Sequence, residues 1–236
     1  MVSDGVFGTK LPCTASHEGT GTVSAIGSEV TNFKEGDRVM CGLPKGPCGI
    51  CAECQGPENY SQYCQNFEGM VGVTMDGAFA EYVVTDSRMS AKLPDKVSFE
   101  TAAPLACAGC TVWRGVLQSK LVSGQWLAII GSGGGLGHLG IQFAKALGLN
   151  VIGIDARDEG LELTKAVGAD VVIDARKGDK FVIEEVRKAT NGGADATLNV
   201  SDAKSAAATA CAATKLHGKM IQIAQVRVVD HPVRSY

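Results

Sequence analysis

Four cysteines, Cys48, Cys51, Cys54 and Cys64, fall within one 17-residue stretch, CGICAECQGPENYSQYC. Thiolates are soft, strong zinc ligands, and a C-x2-C turn lets two sulfurs reach one ion. Four of them fill a tetrahedral shell and leave no position for water or substrate, so a zinc held there is expected to be structural. Disulfides or unrelated buried thiols are the competing reading of these residues. A second group lies in pieces. His17 and Glu18 precede a glycine-punctuated run, HEGTGTVSAIG, and Cys107 stands far along the chain in APLACAGCTVW. One His, one Cys and a neighbouring carboxylate form part of an open zinc site, which needs a third protein ligand and a water or substrate oxygen. Sequence alone does not identify that third ligand. The bland alternative is a structural histidine beside a surface carboxylate.

A third constellation is the glycine loop GSGGGLGHLG (131–140). It follows an apolar run, LAII, and leads into a helical pattern, the context in which glycines let a pyrophosphate approach the backbone and a helix N-terminus. The G-x-G-x-x-G pattern fits in two registers, Gly135, Gly137, Gly140 or the looser Gly131, Gly134, Gly137. Cofactor contact is expected at Gly134, Gly135, Leu136 and Gly137. Asp155 ends the next apolar run, NVIGID, 18 residues beyond Gly137. A carboxylate there accepts both hydroxyls of an adenosine ribose and repels a 2′-phosphate, so NAD is expected over NADP. A helix N-cap is the alternative for Asp155. Arg157, two residues on, is placed to soften the preference for NAD, with a solvated loop arginine as its simpler role.

The elements that must position these residues change character near residue 100. Before it, short β-type runs at 19–27, 37–42 and 77–84 are broken by glycine turns, which predicts an all-β unit with the cysteine lobe inserted as a long loop. After it, a helical stretch from residue 99 leads into apolar runs at 126–130, 151–154, 171–173, 196–200 and 220–224, separated by helical patterns. That alternation predicts a doubly wound parallel sheet of α/β class. The expected domains are 1–106, carrying the metal groups, and 107–236, carrying the dinucleotide.

Composition supports a globular reading. Of 236 residues, 45% are hydrophobic and 20% charged, which argues for a real core and against disorder. A formal charge of -3 without a long basic run excludes nucleic acid and anionic membrane as expected partners. No signal pattern or membrane span is readable. Nine cysteines, an odd number, without a signal sequence favour a reducing compartment, the cytoplasm.

Together these segments resemble the zinc-dependent medium-chain alcohol dehydrogenases, closest to the fungal and yeast type, over roughly residues 7–225. KLPCTASHEGTGTVSAIGSEVTNFKEGDRV resembles the family's GHE segment, with His17 and Glu18 at zinc positions. The cysteine lobe resembles its structural zinc lobe, APLACAGCT the segment of another catalytic-zinc cysteine, and the glycine loop with VIGID its coenzyme fingerprint. LNVS (198–201) resembles a strand end that contacts NAD, which places Ser201 at the cofactor. The resemblance implies a partial GroES-like β domain followed by a partial Rossmann domain. It also implies hydride transfer between NAD and a small primary or secondary alcohol, or the matching aldehyde or ketone, with Glu18 as a tuning group or alternate ligand.

The chain also departs from that pattern. The family's first catalytic-zinc cysteine and its proton relay lie well upstream of GHE and have no counterpart here. Ser16 replaces the GHE glycine, and the interval from Cys54 to Cys64 is longer than usual. After Gln225 only VRVVDHPVRSY follows, where the family continues with a sixth strand and its main subunit interface. The chain therefore reads as shortened at both ends, and homo-oligomer formation is expected to lack its usual surface. An open sheet edge predicts association or poor solubility. Cys13 and Cys110 are candidate substitute ligands, although small buried thiols are the simpler reading. A catalytically degenerate relative retaining structural zinc and NAD binding is the alternative function, while a zinc-ribbon module fits only the cysteine spacing.

Overall fold

The computed structural model describes residues 7–56 and 60–225. Its contacts divide the chain into two compact units, one ending at Cys107 and the other beginning at Ala108. The C-terminal VRVVDHPVRSY lies outside the described residues.

The first unit is built from short strands. β1 (Thr20–Thr22) and β2 (Arg38–Met40) pair antiparallel, Gly21 opposite Val39. β3 (Pro44–Lys45) and β4 (Gly69–Met70) form a two-stranded ladder that closes the base of the cysteine lobe. Within that lobe sit a one-turn helix, α1 (Ala52–Gln55), and a 3-10 turn, Ser61–Tyr63. β5 (Ala91–Lys92) adds to β2. Phe33, Val39, Cys41, Val71 and Val73 are buried and supply the unit's apolar interior. The stretch 77–84, expected as a strand from its β-type residues, is not one. Gly77, Ala78 and Phe79 donate instead to the carbonyls of Thr14, Ser16 and Ala15. Phe79, Tyr82 and Val84 face solvent, and a run of β-type residues without a neighbouring strand to pair with does not make a strand.

Two further elements bring the chain to Cys107. α2 (Phe99–Ala102) is capped by Ser98, whose Oγ accepts the Thr101 N–H at 3.1 Å, and a 3-10 turn (Ala103–Ala106) follows. Arg38 fixes this segment from β2. Its guanidinium donates to the carbonyls of Pro94, Asp95 and Val97 and lies 4.5 Å from the centre of the Phe99 ring. Thr20 Oγ1 donates to the Phe99 carbonyl at 3.0 Å.

The second unit opens with α3 (Ala108–Ser119) and is a five-stranded parallel sheet. In chain order follow β6 (Trp126–Ile130), α4 (Gly135–Ala146), β7 (Asn150–Asp155), α5 (Asp158–Ala166), β8 (Val171–Asp174), α6 (Asp179–Thr190), β9 (Ala194–Asn199), α7 (Ala206–Ala213) and β10 (Thr214–Gln222). The sheet order is β10-β9-β6-β7-β8. Successive side chains of a strand point to opposite faces. Leu127 and Ile129 of β6 therefore pack with Val112, Val116 and Ile141 of α3 and α4, while Ala128 and Ile130 pack with Val182, Val186, Ala206 and Ala210 of α6 and α7. Both faces are covered, which is why these strands read as continuous apolar runs rather than alternating ones. The last strand starts earlier than the apolar run 220–224. It begins at Thr214, shifts register before Lys219, and pairs with β9 through Gln222. No helix among the described residues is long and apolar enough to cross a membrane.

Candidate metal centres and dinucleotide crevice

The four lobe cysteines converge. One sulfur from each of Cys48, Cys51, Cys54 and Cys64 lies within 4.8 Å of the others, and Cys64 is fully buried. All four are free thiols, which excludes the disulfide reading. Backbone amides point at the sulfurs, with Cys48 N–H on Cys64 Sγ at 3.3 Å and Asn66 N–H on the same atom at 3.4 Å. The amides of Ile50 and Cys51 hold the Cys48 thiol down at about 6. Cys51 moves the other way, to about 11: the Cys54 amide favours its thiolate, but loss of water and the hydrogen bonds shared with the other three sulfurs outweigh that. Thiols this close resist joint ionisation unless a cation offsets the charge. An all-sulfur set with N–H groups turned toward it fits a tetrahedral soft-metal site of the zinc type, with no ligand position left over.

His17, Glu18 and Cys107 form the second group. One donor atom from each lies within 4.8 Å of the other two, and all three are half-buried. Ninety residues separate His17 from Cys107. His17 is presented by a tight turn: Ser16 adopts a left-handed φ of 77°, its carbonyl accepts the Ala78 N–H at 2.8 Å, and its Oγ accepts the Glu18 N–H at 3.3 Å. Gly72 and Gly77 close on that carbonyl so tightly that a Cβ on either would stand 2.1 Å from its oxygen. Cys107 arrives on the far side through the Arg38-anchored segment. Neither substitute thiol joins this group among the described residues. Cys13 donates to the Met75 carbonyl at 3.4 Å, and Cys110 is exposed on α3. One nitrogen, one oxygen and one sulfur donor suit zinc with a coordination position left open.

In the second unit a crevice of about 410 Å³ opens at the C-terminal ends of β6, β7 and β9, with Gly131, Asp155 and Ser201 in its lining. The sheet order reverses between β6 and β9, the place where open α/β sheets bind ligands. Gly131 turns the chain out of β6 with φ of 86°, and α4 starts at Gly135 with Gly134 as an N-cap that offers no side-chain acceptor. The first amides of α4 have no intrahelical partner, and no heavy atom stands within 4 Å of where a Cβ on Gly135 would be. That open approach to a helix N-terminus fits a pyrophosphate. Of the two registers, both share Gly137, where a Cβ would stand 2.2 Å from the Gly131 carbonyl oxygen. Leu136 packs into the core beside Ile141, anchoring the loop. Ser201 sits against Gly131 across the crevice, its amide donating to Asn199 Oδ1 at 3.1 Å.

Asp155 is 5% exposed. Its Oδ1 accepts the amides of Ala156 at 2.9 Å and Arg157 at 3.0 Å, and its Oδ2 accepts Gly133 N–H at 2.9 Å. Burial alone would raise its pKa, but the Arg157 guanidinium and the Gly133 and Arg157 amides more than reverse this and hold it below the usual carboxylate value. α5 begins at Asp158, so Asp155 ends a strand rather than capping a helix. The sequence offered Arg157 as a solvated loop arginine or as a residue that softens the NAD preference. Here its Nε lies 3.3 Å from Asp155 Oδ1, although the side chain remains 60% exposed. Asp86 and Arg88, which support the cysteine lobe, were not foreseen, and their Asp-x-Arg spacing was the available signal.

The chain is thus a two-unit protein with a doubly wound nucleotide-type sheet in one unit and two metal-type donor clusters in the other. Comparison with known proteins narrows that class. Residues 1–95 match the family model of the alcohol dehydrogenase GroES-like domain, and residues 135–232 match that of the zinc-binding dehydrogenases. An alcohol dehydrogenase of Schizosaccharomyces pombe is 41% identical over 192 residues, 81% of this chain and 54% of that protein. One from Geobacillus stearothermophilus is 40% identical over 200 residues, 84% of this chain and 56% of that protein. Among solved structures, the alcohol dehydrogenase of Aeropyrum pernix superposes with a TM-score of 0.82 at 30% identity, covering 96% of this chain and 66% of that one. An NAD-dependent alcohol dehydrogenase superposes with a TM-score of 0.81 at 28% identity, covering 91% and 61%. The chain belongs to the zinc-type medium-chain alcohol dehydrogenase family, and its fold is the family's GroES-like and Rossmann-like pair. It spans a little over half the length of the curated relatives it matches.

Proposed function

We propose that this chain carries the zinc- and NAD-binding parts of an oxidoreductase that transfers hydride between NAD and a small primary or secondary alcohol. The observation that carries the reading is the pairing of an open N,O,S cluster, His17, Glu18 and Cys107, with a separate closed cluster of four thiols in the same unit. One cluster suits chemistry and the other suits structure. The nucleotide-type crevice and the names of the relatives support the redox class.

In this reading His17, Glu18 and Cys107 hold a catalytic zinc, and Cys48, Cys51, Cys54 and Cys64 hold a structural one. Zinc bound at the open cluster supplies Lewis-acid polarisation of an alcohol oxygen, and NAD supplies the hydride acceptor. His17 contributes a ring nitrogen, Glu18 an oxygen and Cys107 a sulfur. Gly134, Gly135, Leu136 and Gly137 offer backbone to the pyrophosphate, Ser201 borders the crevice opposite them, and Asp155 accepts ribose hydroxyl groups. Because Asp155 is held in its charged form, it repels a 2′-phosphate and selects NAD over NADP. Nine cysteines, none of them in a disulfide, suit a reducing, cytoplasmic setting. The test is NADH formation at 340 nm from a panel of short alcohols by zinc-loaded protein, with His17→Ala as control. Turnover that depends on zinc and disappears in His17→Ala supports the reading; saturable NADH binding without turnover on any alcohol, aldehyde or ketone overturns it.

A further inference from the structure

Arg88 lies outside the cysteine lobe, 24 residues beyond its last thiol, yet the structure connects it to one sulfur through a single peptide plane. Its Nη1 donates to the Pro47 carbonyl at 3.0 Å. The other end of that same peptide is the Cys48 amide, which donates to Cys64 Sγ at 3.3 Å. A trans peptide is planar, so gripping the carbonyl oxygen fixes the direction in which the N–H points. A cationic donor on the oxygen also polarises the amide and makes its N–H the stronger donor.

Asp86 holds Arg88 in place. Arg88 Nε donates to Asp86 Oδ1 at 2.9 Å and Nη2 to Oδ2 at 2.6 Å, a two-bond fork, and the Arg88 amide adds a third bond to Oδ1 at 2.9 Å. Asp86 grips the lobe itself as well, accepting the Gly46 N–H at 3.0 Å. The carboxylate is 10% exposed, and the Arg88 fork keeps its pKa down at about 2. The pair therefore clamps both ends of the Gly46–Pro47 step that feeds the first thiol into the cluster. Gly46 and Gly49 on either side have left-handed φ of 65° and 73°, which lets the chain turn sharply into and out of this step.

We propose that Arg88 is a positioning residue for the four-thiol centre, acting through the Pro47–Cys48 peptide to aim an N–H at the Cys64 thiolate. The proposal rests on the reading that this centre holds zinc. A tetrathiolate zinc carries two net negative charges, and each N–H turned onto a sulfur, together with a guanidinium nearby, reduces that excess.

The test compares Arg88→Ala, Arg88→Lys and the unchanged full chain by chelator competition for zinc and by the sulfur-to-metal charge-transfer bands of the cobalt-loaded protein. Outer partners of this kind change metal affinity by about 10- to 100-fold, which is the loss expected for Arg88→Ala, with shifted cobalt bands. Lysine keeps a cationic donor but not the fork, so Arg88→Lys should recover part of that loss. Equal zinc retention in the unchanged chain and Arg88→Ala overturns the proposal. Hydrogen exchange at the Cys48 amide in metal-free protein provides the independent readout: it accelerates in Arg88→Ala if the peptide is held as described and is unchanged if it is not. Should the unchanged chain bind neither zinc nor cobalt at the lobe, the metal reading fails, and the exchange rate still decides the role of Arg88.

Discussion

Two glycines of the same loop should respond to the same substitution with opposite signs. A methyl on Gly137 would lie 2.2 Å from Gly131 O and 2.6 Å from both Cα and O of Ser132. These are backbone atoms of a loop already fixed by the Gly131 and Ser132 amides, which donate to the Ile154 carbonyl at 2.8 and 3.1 Å. The overlap cannot be relieved by turning a side chain, so Gly137→Ala falls at the upper end of overpacking costs, about 3 kcal/mol. Better helix propensity returns about 1 kcal/mol, for a net loss of about 2 kcal/mol. On Gly135 the methyl meets no heavy atom within 4 Å, so Gly135→Ala should be neutral or gain up to about 1 kcal/mol. At about 4 °C per kcal/mol for a unit of this size, the two variants should melt roughly 8–12 °C apart. Thermal unfolding followed by circular dichroism reads that difference, and NADH titration adds a second axis. In the proposed cofactor reading the Gly135 methyl stands in the path of the pyrophosphate, so the more stable variant should still bind NADH more weakly. A Gly137→Ala protein that melts at or above the unchanged chain would refute the packing argument. A Gly135→Ala protein with raised stability and undiminished NADH affinity would refute the phosphate assignment.

Two other perturbations follow from the same geometry. Asp155→Asn should weaken NADH by about tenfold, the loss of a charge-assisted bond, and narrow the preference over NADPH, as read by fluorescence titration of both nucleotides. Asp195 sits at the start of β9, and burial would raise its pKa, but Lys215 and the Trp126 amide lower it below the ordinary value. A carboxylate with a depressed folded pKa contributes stability that is complete above about pH 4 and is lost as pH falls through the folded value. Asp195→Asn should therefore cost about 1 kcal/mol at pH 7 and flatten the acid limb of a stability–pH curve, whereas an unchanged acid limb would show that Asp195 is not responsible for it.

The nucleotide unit was legible in the sequence because its signals are local. Five apolar runs, a glycine loop and an acidic strand end follow one another along the chain, and each run becomes one strand of the sheet, although the sheet order reverses between β6 and β9. Only β10 was misplaced, since a register shift before Lys219 lets the strand begin among residues that carry no apolar run. The first unit was less readable. Residues 77–84 have the composition of a strand, yet the amides of 77–79 are used by 14–16, a preference that depends on partners rather than on the segment itself. The four lobe thiols were evident from their spacing. His17, Glu18 and Cys107 were also grouped, by donor type and by the family resemblance, whereas the contact that delivers Cys107, Arg38 fixing a segment more than fifty residues away, was not legible. Three Asp-x-Arg triplets show the same limit. At Asp86, Asp155 and Asp174 the carboxylate accepts the amide of the arginine two residues on, a local turn that aspartate favours. What each arginine then does depends on the fold: Arg88 reaches Pro47, Arg157 stays on its own aspartate, and Arg176 also bonds Asp158.

The central claim is that one chain holds two chemically distinct metal centres, one closed and one open. Native mass spectrometry of zinc-loaded protein tests it directly by counting ions per chain. Two zinc ions are expected in the unchanged protein. One should remain in His17→Ala and one in Cys54→Ser, with neither substitution emptying the other centre. A single zinc in the unchanged chain that survives His17→Ala and is lost in Cys54→Ser would contradict the open centre, and with it the chemistry proposed for His17, Glu18 and Cys107.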